Sequence, residues 1–167
     1  MTRVDVRPAT LNDIPELCRL YFAFHEFYVA SVPKRLKSLG SWEEFDASQL
    51  THRLQEILDN HKSCLFVADA NGTLVGFVEI YIQEDEPDPA RMMYVHGHLQ
   101  SLMVVPGWRK KGLGKRLVHA AERWAAKKGA SEVRLDTWEF PGDPVKFYEK
   151  IGYRTLRRKF VRRLSGK

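Results

Sequence analysis

The chain has 167 residues, with 44% hydrophobic and 29% charged residues, the composition of one globular domain spanning 1–167. No apolar run approaches the roughly 20 residues of a membrane span, Met1-Thr2-Arg3-Val4-Asp5 does not open a signal peptide, and Cys18 and Cys64 are too few for a disulfide framework. A reducing cytoplasm is therefore the expected compartment. The net charge of +6 is unevenly spread: residues 1–104 hold nine basic and fifteen acidic residues, and residues 105–167 hold eighteen and six. Such asymmetry fits partners of opposite charge.

Val4-Asp5-Val6-Arg7 alternates as a first strand. Asn12-Asp13 and Pro15 then open a helix that carries Leu17, Leu20, Tyr21, Phe24 and Tyr28 to about residue 30, where Pro33 stops it. Residues 34–41 read as a loop. The spacing of Leu50, Leu54, Ile57 and Leu58 predicts a second helix from Trp42 to Asn60. A strand at Cys64–Ala68 and another at Leu74–Gln83 flank Asn71-Gly72, a two-residue hairpin turn. Four acids and two prolines make 84–89 a loop, and a long strand follows from Met92 to Val104. Leu113, Leu117, Val118, Ala121 and Ala125 define an amphipathic helix ending near Lys128. Val133–Trp138 reads as a strand. Asp143-Pro144 opens a helix to about Ile151, and Tyr153–Val161 reads as a strongly basic last strand. The order β-α-α-β-β-β-α-β-α-β predicts an α/β domain with a mixed, mostly antiparallel sheet flanked by about four helices, with no repeat or linker.

The segment that carries chemistry is Leu102-Met103-Val104-Val105-Pro106-Gly107-Trp108-Arg109-Lys110-Lys111-Gly112-Leu113-Gly114-Lys115. A strand ends, a glycine- and lysine-rich turn follows, and a helix begins among the glycines. Free amides and the positive end of the helix dipole make that an anion cradle, with Arg109, Lys110, Lys111 and Lys115 adding charge. It is neither a Walker A loop, which needs Gly-Lys-Ser/Thr at its end, nor a Gly-x-Gly-x-x-Gly dinucleotide turn.

Arg109-Lys110-Lys111-Gly112-Leu113-Gly114 fits the Arg/Gln-x-x-Gly-x-Gly/Ala signature, and Phe147-Tyr148-Glu149-Lys150-Ile151-Gly152-Tyr153 fits a second motif downstream. Through these two segments the sequence resembles the GCN5-related N-acetyltransferase (GNAT) superfamily. The resemblance implies acetyl-CoA as cosubstrate. It implies that the Leu102, Met103 and Val104 backbone pairs with the pantetheine arm, and that the amides from Lys110 to Lys115 hold the pyrophosphate. Tyr148 would protonate the departing thiolate, with transfer direct in a ternary complex. Many members carry an Asn seven residues before this tyrosine; here that position is Pro141, and Asp143 is the nearest substitute.

An acceptor amine has a pKa of ~10.4 and must lose a proton to attack. Glu79 on the third strand and His98 on the fourth are the candidate bases, and alternation places His96, His98, Gln100, Leu102 and Val104 on one strand face. His96-Gly97-His98 lacks a third ligand nearby, so no metal is expected. The acidic loop 84–88, with Glu43, Glu44 and Asp46, would attract a cationic amine such as a polyamine, an aminoglycoside or a peptide lysine. One face of the aromatic helix (Tyr21, Phe22, Phe24, Phe27, Tyr28) would shape the acceptor pocket. Two other readings compete. The basic end formed by Arg154, Arg157, Arg158, Lys159, Arg162, Arg163 and Lys167 fits a nucleic-acid binder, although helix-turn-helix and RNP patterns are missing. A non-catalytic acetyl-CoA-binding domain is the other. The same basic strand offers a homodimer partner a sheet edge.

Overall fold

The computed structural model describes residues 2–165. Its contacts divide the chain into two compact units, one ending at Asp136 and one beginning at Thr137.

The first unit is a five-stranded sheet in the order β1-β2-β3-β4-β5. The strands are β1 (Val4–Pro8), β2 (Ser63–Ala70), β3 (Thr73–Glu84), β4 (Val95–Val104) and β5 (Glu132–Arg134). The first four pair antiparallel, and β5 runs parallel to β4. Helices α1 (Ile14–Ser31), α2 (Ser48–Asp59) and α3 (Leu113–Lys127) complete it. The expected α/β class and mixed sheet are those observed. Asn71 and Gly72 both take positive φ, 54° and 91°, which is the primed turn that matches strand twist in a tight hairpin. Helix α3 ends as expected beside Gly129, where the Ala130 amide donates back to the Ala125 carbonyl at 3.0 Å.

Each face of the sheet has its own cover. Leu17, Cys18 and Tyr21 of α1 and Leu54 and Ile57 of α2 cluster with Leu65, Val67, Phe77 and Met103 of the sheet. On the other face α3 comes so close that a Cβ built on Gly97 would stand 3.0 Å from the Ala125 Cβ, and one on Gly76 would stand 3.2 Å from Leu117 Cδ1.

Four expectations need correction. Helix α2 starts at Ser48, not Trp42, because the Asp46 carboxylate accepts the Ser48 amide at 2.9 Å and residues 42–45 close a turn instead. Strand β4 starts at Val95, not Met92, since the Tyr94 amide donates to the Asp85 carboxylate at 3.0 Å. Strand β5 stops at Arg134 rather than Trp138; its partners are only His96, Gly97 and His98. The basic strand expected over Tyr153–Val161 is not formed: residues 153–165 take neither helix nor strand.

The second unit holds α4 (Val145–Lys150), which ends at Gly152 as expected. The Asp143 carboxylate accepts the Phe140 amide at 3.1 Å and the Val145 amide at 2.9 Å, so both its oxygens shape the entry to α4. Tyr148 is buried in α4, with its ring 5.1 Å from Phe147 and 5.5 Å from Tyr153. Lys167 lies outside the described residues.

Candidate active site

A register break between Glu79 and Ile80 organises the site. Glu79 faces Ser101 and Ile80 faces Leu99, so Gln100 is an extra residue that β3 does not match. Such a bulge bends its strand and reverses the alternation of side chains beyond it. Directly opposed residues share a face. His96 and His98 therefore share the α1–α2 side with Tyr81, Glu79, Ser101 and Met103, while Leu102 and Val104 turn to the α3 side. The expectation of one face for His96, His98, Gln100, Leu102 and Val104 is corrected on this ground.

Glu79 is fully buried and still surrounded by donors. Arg53 Nη2 donates to its Oε1 at 2.6 Å. The Tyr81 hydroxyl donates to the same oxygen, and the Tyr21 hydroxyl donates to Oε2. Burial, reinforced by the Glu79 charge, pushes the Tyr21 phenol well above its ordinary pKa. Burial and the bond to Glu79 likewise raise that of Tyr81. Burial works against the Arg53 charge, but Glu79 and the two phenols outweigh it and raise the guanidinium pKa. Both phenols thus stay protonated donors, and Arg53 stays a cation. His98 is half-buried and stands opposite Tyr81 and Arg134 in the register. His96 is buried, its Nδ1 3.7 Å from Asp85 and without a hydrogen-bond partner among the described residues.

Arg53, Tyr21 and Tyr81 are the functional candidates that sequence reasoning missed as partners of Glu79. The signal was there for Arg53. It lies three residues after Leu50 and four before Ile57, on the apolar stripe of α2, where a charge needs a buried partner.

Above this network lies a cavity of about 470 Å³ between α1 and α2. Tyr21, Phe22 and His25 of α1 line it, with Phe45 and Asp46 of the connecting segment and Arg53 of α2. The aromatic helix thus contributes Tyr21 and Phe22 to a pocket wall. Glu26 holds the connecting segment onto α1 by accepting the Leu39 amide at 2.6 Å and the Ser38 hydroxyl at 2.8 Å. One acid of the expected attractor, Asp85, is engaged elsewhere. Arg134 grips Asp85 with two bonds, at 2.6 and 3.0 Å, and holds its carboxyl down to about pKa 2. Asp46 is the carboxylate that reaches the cavity wall.

The turn from β4 to α3 has the form an anion needs. Gly112 is the residue before the first turn of α3, at φ 78°, and Lys110 also takes a positive φ, 59°. Left-handed residues in a tight turn can aim neighbouring amides into one concavity. A Cβ added at Gly112 would meet no atom within 4 Å, so that side of the turn is open. The first amides of α3 have no intrahelical acceptor, and the dipole end is positive there. Lys110, Lys111, Gly112 and Lys115 are exposed, Gly114 is half-buried and Leu113 is buried as an anchor. Arg109 does a different job: its Nε donates to the Val104 carbonyl at 2.8 Å, and its guanidinium lies 5.5 Å from the Phe27 ring centre. It ties the turn to the strand end. Because β5 pairs with β4 only at His96–His98, residues 99–104 have no strand partner on that edge among the described residues. An extended pantetheine arm fits such an edge, and a diphosphate fits the turn beyond it.

No group of three or more His, Cys, Asp or Glu side chains among the described residues is arranged to hold a metal. No helix among them is long and apolar enough to cross a membrane. Burial pushes the Cys64 thiol up to about 11, which keeps it protonated and unreactive at neutral pH.

The comparisons with known proteins agree with this geometry. The model of the acetyltransferase (GNAT) family matches residues 21–153. The uncharacterized N-acetyltransferase YhfO of Bacillus subtilis is 30% identical over 150 residues, covering 90% of this chain and 89% of that protein. The aminoglycoside N(6')-acetyltransferase type 1 of Salmonella typhimurium is 29% identical over 111 residues, covering 62% and 71%. Among solved structures, a tetramutant of the BH1408 protein of Bacillus halodurans superposes with a TM-score of 0.83 at 20% identity, covering 96% of this chain and 99% of that one. The aminoglycoside acetyltransferase AAC(6')-Iy, bound to a bisubstrate analogue of CoA and acetylneamine, superposes at 0.73 with 21% identity, covering 99% and 100%. With its signature turn, its open strand edge and a family match over most of its length, the chain belongs to the GNAT family of acetyl-CoA-dependent N-acetyltransferases.

Proposed function

We propose that residues 1–167 act as one acetyltransferase domain that transfers the acetyl group of acetyl-CoA to a primary amine by direct attack. The observation that carries this reading is the β4–α3 turn. Gly112 and Lys110 hold it in a left-handed form in front of the free amides of α3, next to the stretch of β4 whose outer edge has no strand partner among the described residues. In this reading the Leu102, Met103 and Val104 backbone aligns the pantetheine. The amides of Lys110, Lys111, Gly112, Leu113, Gly114 and Lys115 hold the diphosphate, and Arg109 fixes the turn.

The acceptor enters the cavity between α1 and α2. Glu79 has both oxygens occupied, so it positions Tyr81 and Arg53 rather than taking a proton itself. His98, half-buried on the same strand face, takes the proton of the attacking amine. The negative charge that develops as the carbonyl is attacked needs a donor, and the thiolate needs a proton. The motif assigns the proton to Tyr148.

The acceptor class proposed is a small cationic amine, an aminoglycoside or polyamine, or a peptide amine. Two features support it: the relatives that carry aminoglycoside acetyltransferase names, and the aromatic and carboxylate groups of the cavity wall. The test is a panel of polyamines, aminoglycosides, amino acids and lysine peptides, read as free thiol released from acetyl-CoA. Release that depends on one amine class supports the reading. Tight acetyl-CoA binding without release for any amine would favour a non-catalytic binding domain.

A further inference from the structure

Arg53 reaches further than its bond to Glu79 requires. It lines the cavity of about 470 Å³ between α1 and α2, and also a smaller one of about 180 Å³ whose wall includes Glu56, Ser63 and Tyr81. Its side chain is 44% exposed although Nη2 is locked on Glu79 at 2.6 Å. The Tyr21 ring, its centre 5.5 Å from the guanidinium, holds the group from a second side. A guanidinium carries five N–H donors. Glu79 takes one, the Tyr81 hydroxyl bonds to the group as well, and part of the fork is left to the cavities. A planar fork fixed at its base is set up to take a carboxylate with two parallel bonds.

The rest of the wall says what such a carboxylate belongs to. Asp46, Gln49, Leu50 and Arg53 line the larger cavity at the spacing of one helix face, i, i+3, i+4 and i+7. Asp46 and Arg53 thus stand at opposite ends of one wall, roughly 10 Å apart along the axis of α2. The Ser48 amide donates to Asp46 and holds its carboxyl below the ordinary range, so it stays an anion. Between the two charges, the rings of Phe22 and Phe45 and the side chain of Leu50 supply an apolar stretch suited to methylene groups. The Arg53 end lies nearer the reaction: Tyr81, bound to the same Glu79 oxygen as Arg53, stands opposite His98 in the register. A polyamine or an aminoglycoside would set an ammonium against Arg53, which like charge opposes.

We propose that Arg53 is a specificity residue that binds a carboxylate next to the reacting amine, that Asp46 receives a second, cationic group at the far end of the acceptor, and that the acceptor is therefore a basic α-amino acid. This narrows the small cationic amine of the acetyl-transfer reading, on which it rests for the reaction but not for binding. The α-amine attacks the thioester carbonyl, so that an amide C–N bond forms and the C–S bond breaks. The amine proton passes to His98, and the sulfur leaves as a thiol with the proton that the motif assigns to Tyr148.

Calorimetric titration of the full chain saturated with CoA tests the binding, with arginine, agmatine, argininamide and norleucine as probes. Agmatine lacks the carboxylate of arginine, argininamide replaces it with an amide, and norleucine lacks the distal cation. Arginine should bind at least about tenfold more tightly than each of the other three. Free thiol released from acetyl-CoA should follow the same order in kcat/KM. Arg53→Lys keeps a cation for Glu79 but loses the fork, and with the circular dichroism of the wild type it should lose most of the preference for arginine over agmatine. If that variant fails to fold, the comparison of ligands on the wild type decides alone. Failure of arginine to bind overturns the proposal, and so does equal affinity for arginine and any of the other three. A folded Arg53→Lys protein with the wild-type preference overturns it too. Thiol release with polyamines or aminoglycosides but not with arginine overturns it while the acetyl-transfer reading stands. Selective binding of arginine with no thiol release for any amine upholds the site and overturns that reading instead.

Discussion

Arg53 Nη2 and Glu79 Oε1 meet at 2.6 Å, the first on a side chain that is 44% exposed to the cavity, the second on one with no exposure at all. A buried carboxylate is tolerated here because a cation and two phenols compensate it. The same network joins α1, α2 and β3 through Tyr21, Arg53 and Glu79, so the wall of the cavity between α1 and α2 and the core beneath it are held by one set of bonds.

Removing the cation should therefore cost stability as well as activity. Arg53→Ala leaves Glu79 buried with phenols alone, and urea unfolding should report a loss of about 3 kcal/mol, the low end for breaking a buried pair because Arg53 is partly solvated. A loss below about 0.5 kcal/mol, the level of an ordinary surface change, would mean that the pair contributes nothing. The double variant Arg53→Leu, Glu79→Leu should recover much of the lost stability while abolishing acceptor turnover.

Part of this architecture is local in the chain and part is not. Strands β1 to β4, the hairpin at Asn71-Gly72 and helices α1 and α3 follow from periodicity and turn chemistry, because each is fixed by neighbours in the chain. The β4–α3 turn is equally local, and its motif is complete in one stretch. What stayed hidden depends on register. The bulge at Gln100 moves Leu102 and Val104 to the face opposite His98, and no pattern of apolar residues announces it. The partners of Glu79 come from positions 21 and 53, which only tertiary packing brings together. The strand expected over Tyr153–Val161 rests on Leu156 and Phe160 falling on one face of an extended chain; the intervening residues break strict alternation, and the segment forms no strand.

The loop before β4 should show its electrostatics in acid. Arg134 holds the Asp85 carboxyl from its ordinary 3.8 down to about 2. A depressed carboxyl stabilises the fold fully above the unfolded pKa, and that contribution is lost as pH falls through the folded one. Thermal melts of the wild type should thus lose this increment between about pH 3.8 and pH 2. Asp85→Asn should start from a lower Tm at pH 5 and show a shallower decline across that window. Parallel curves for the two proteins would contradict the assignment.

Close packing of α3 on the sheet gives a steric prediction. A Cβ at Gly76 would stand 2.7 Å from the Met103 carbonyl oxygen, a backbone atom that cannot move aside without shifting β4. Gly76→Ala should destabilise the protein by about 1–3 kcal/mol, the usual cost of overpacking a core, measured by chemical denaturation. An unchanged midpoint would show that β3 and β4 are looser at this point than the packing requires.

Catalytic roles separate kinetically. His98→Gln should lower kcat at neutral pH at least about a hundredfold, the scale of general base catalysis, with the KM for acetyl-CoA unchanged. Tyr148→Phe should also lower kcat with donor affinity intact, and by less, since a thiol of pKa ~8.5 can depart unprotonated. A rise in the KM for acetyl-CoA with kcat intact would assign either residue to binding instead.

The turn between β4 and α3 is the proposed anchor of the coenzyme. Calorimetric titration of acetyl-CoA into the wild type and into Gly112→Val tests it directly. A β-branched residue at φ 78° is strained, and its side chain would stand in the space the diphosphate needs. The dissociation constant should rise at least tenfold, about 1.4 kcal/mol, with the circular dichroism of the two proteins alike. Equal affinities in two equally folded proteins would contradict the assignment of this turn as the coenzyme's anchor.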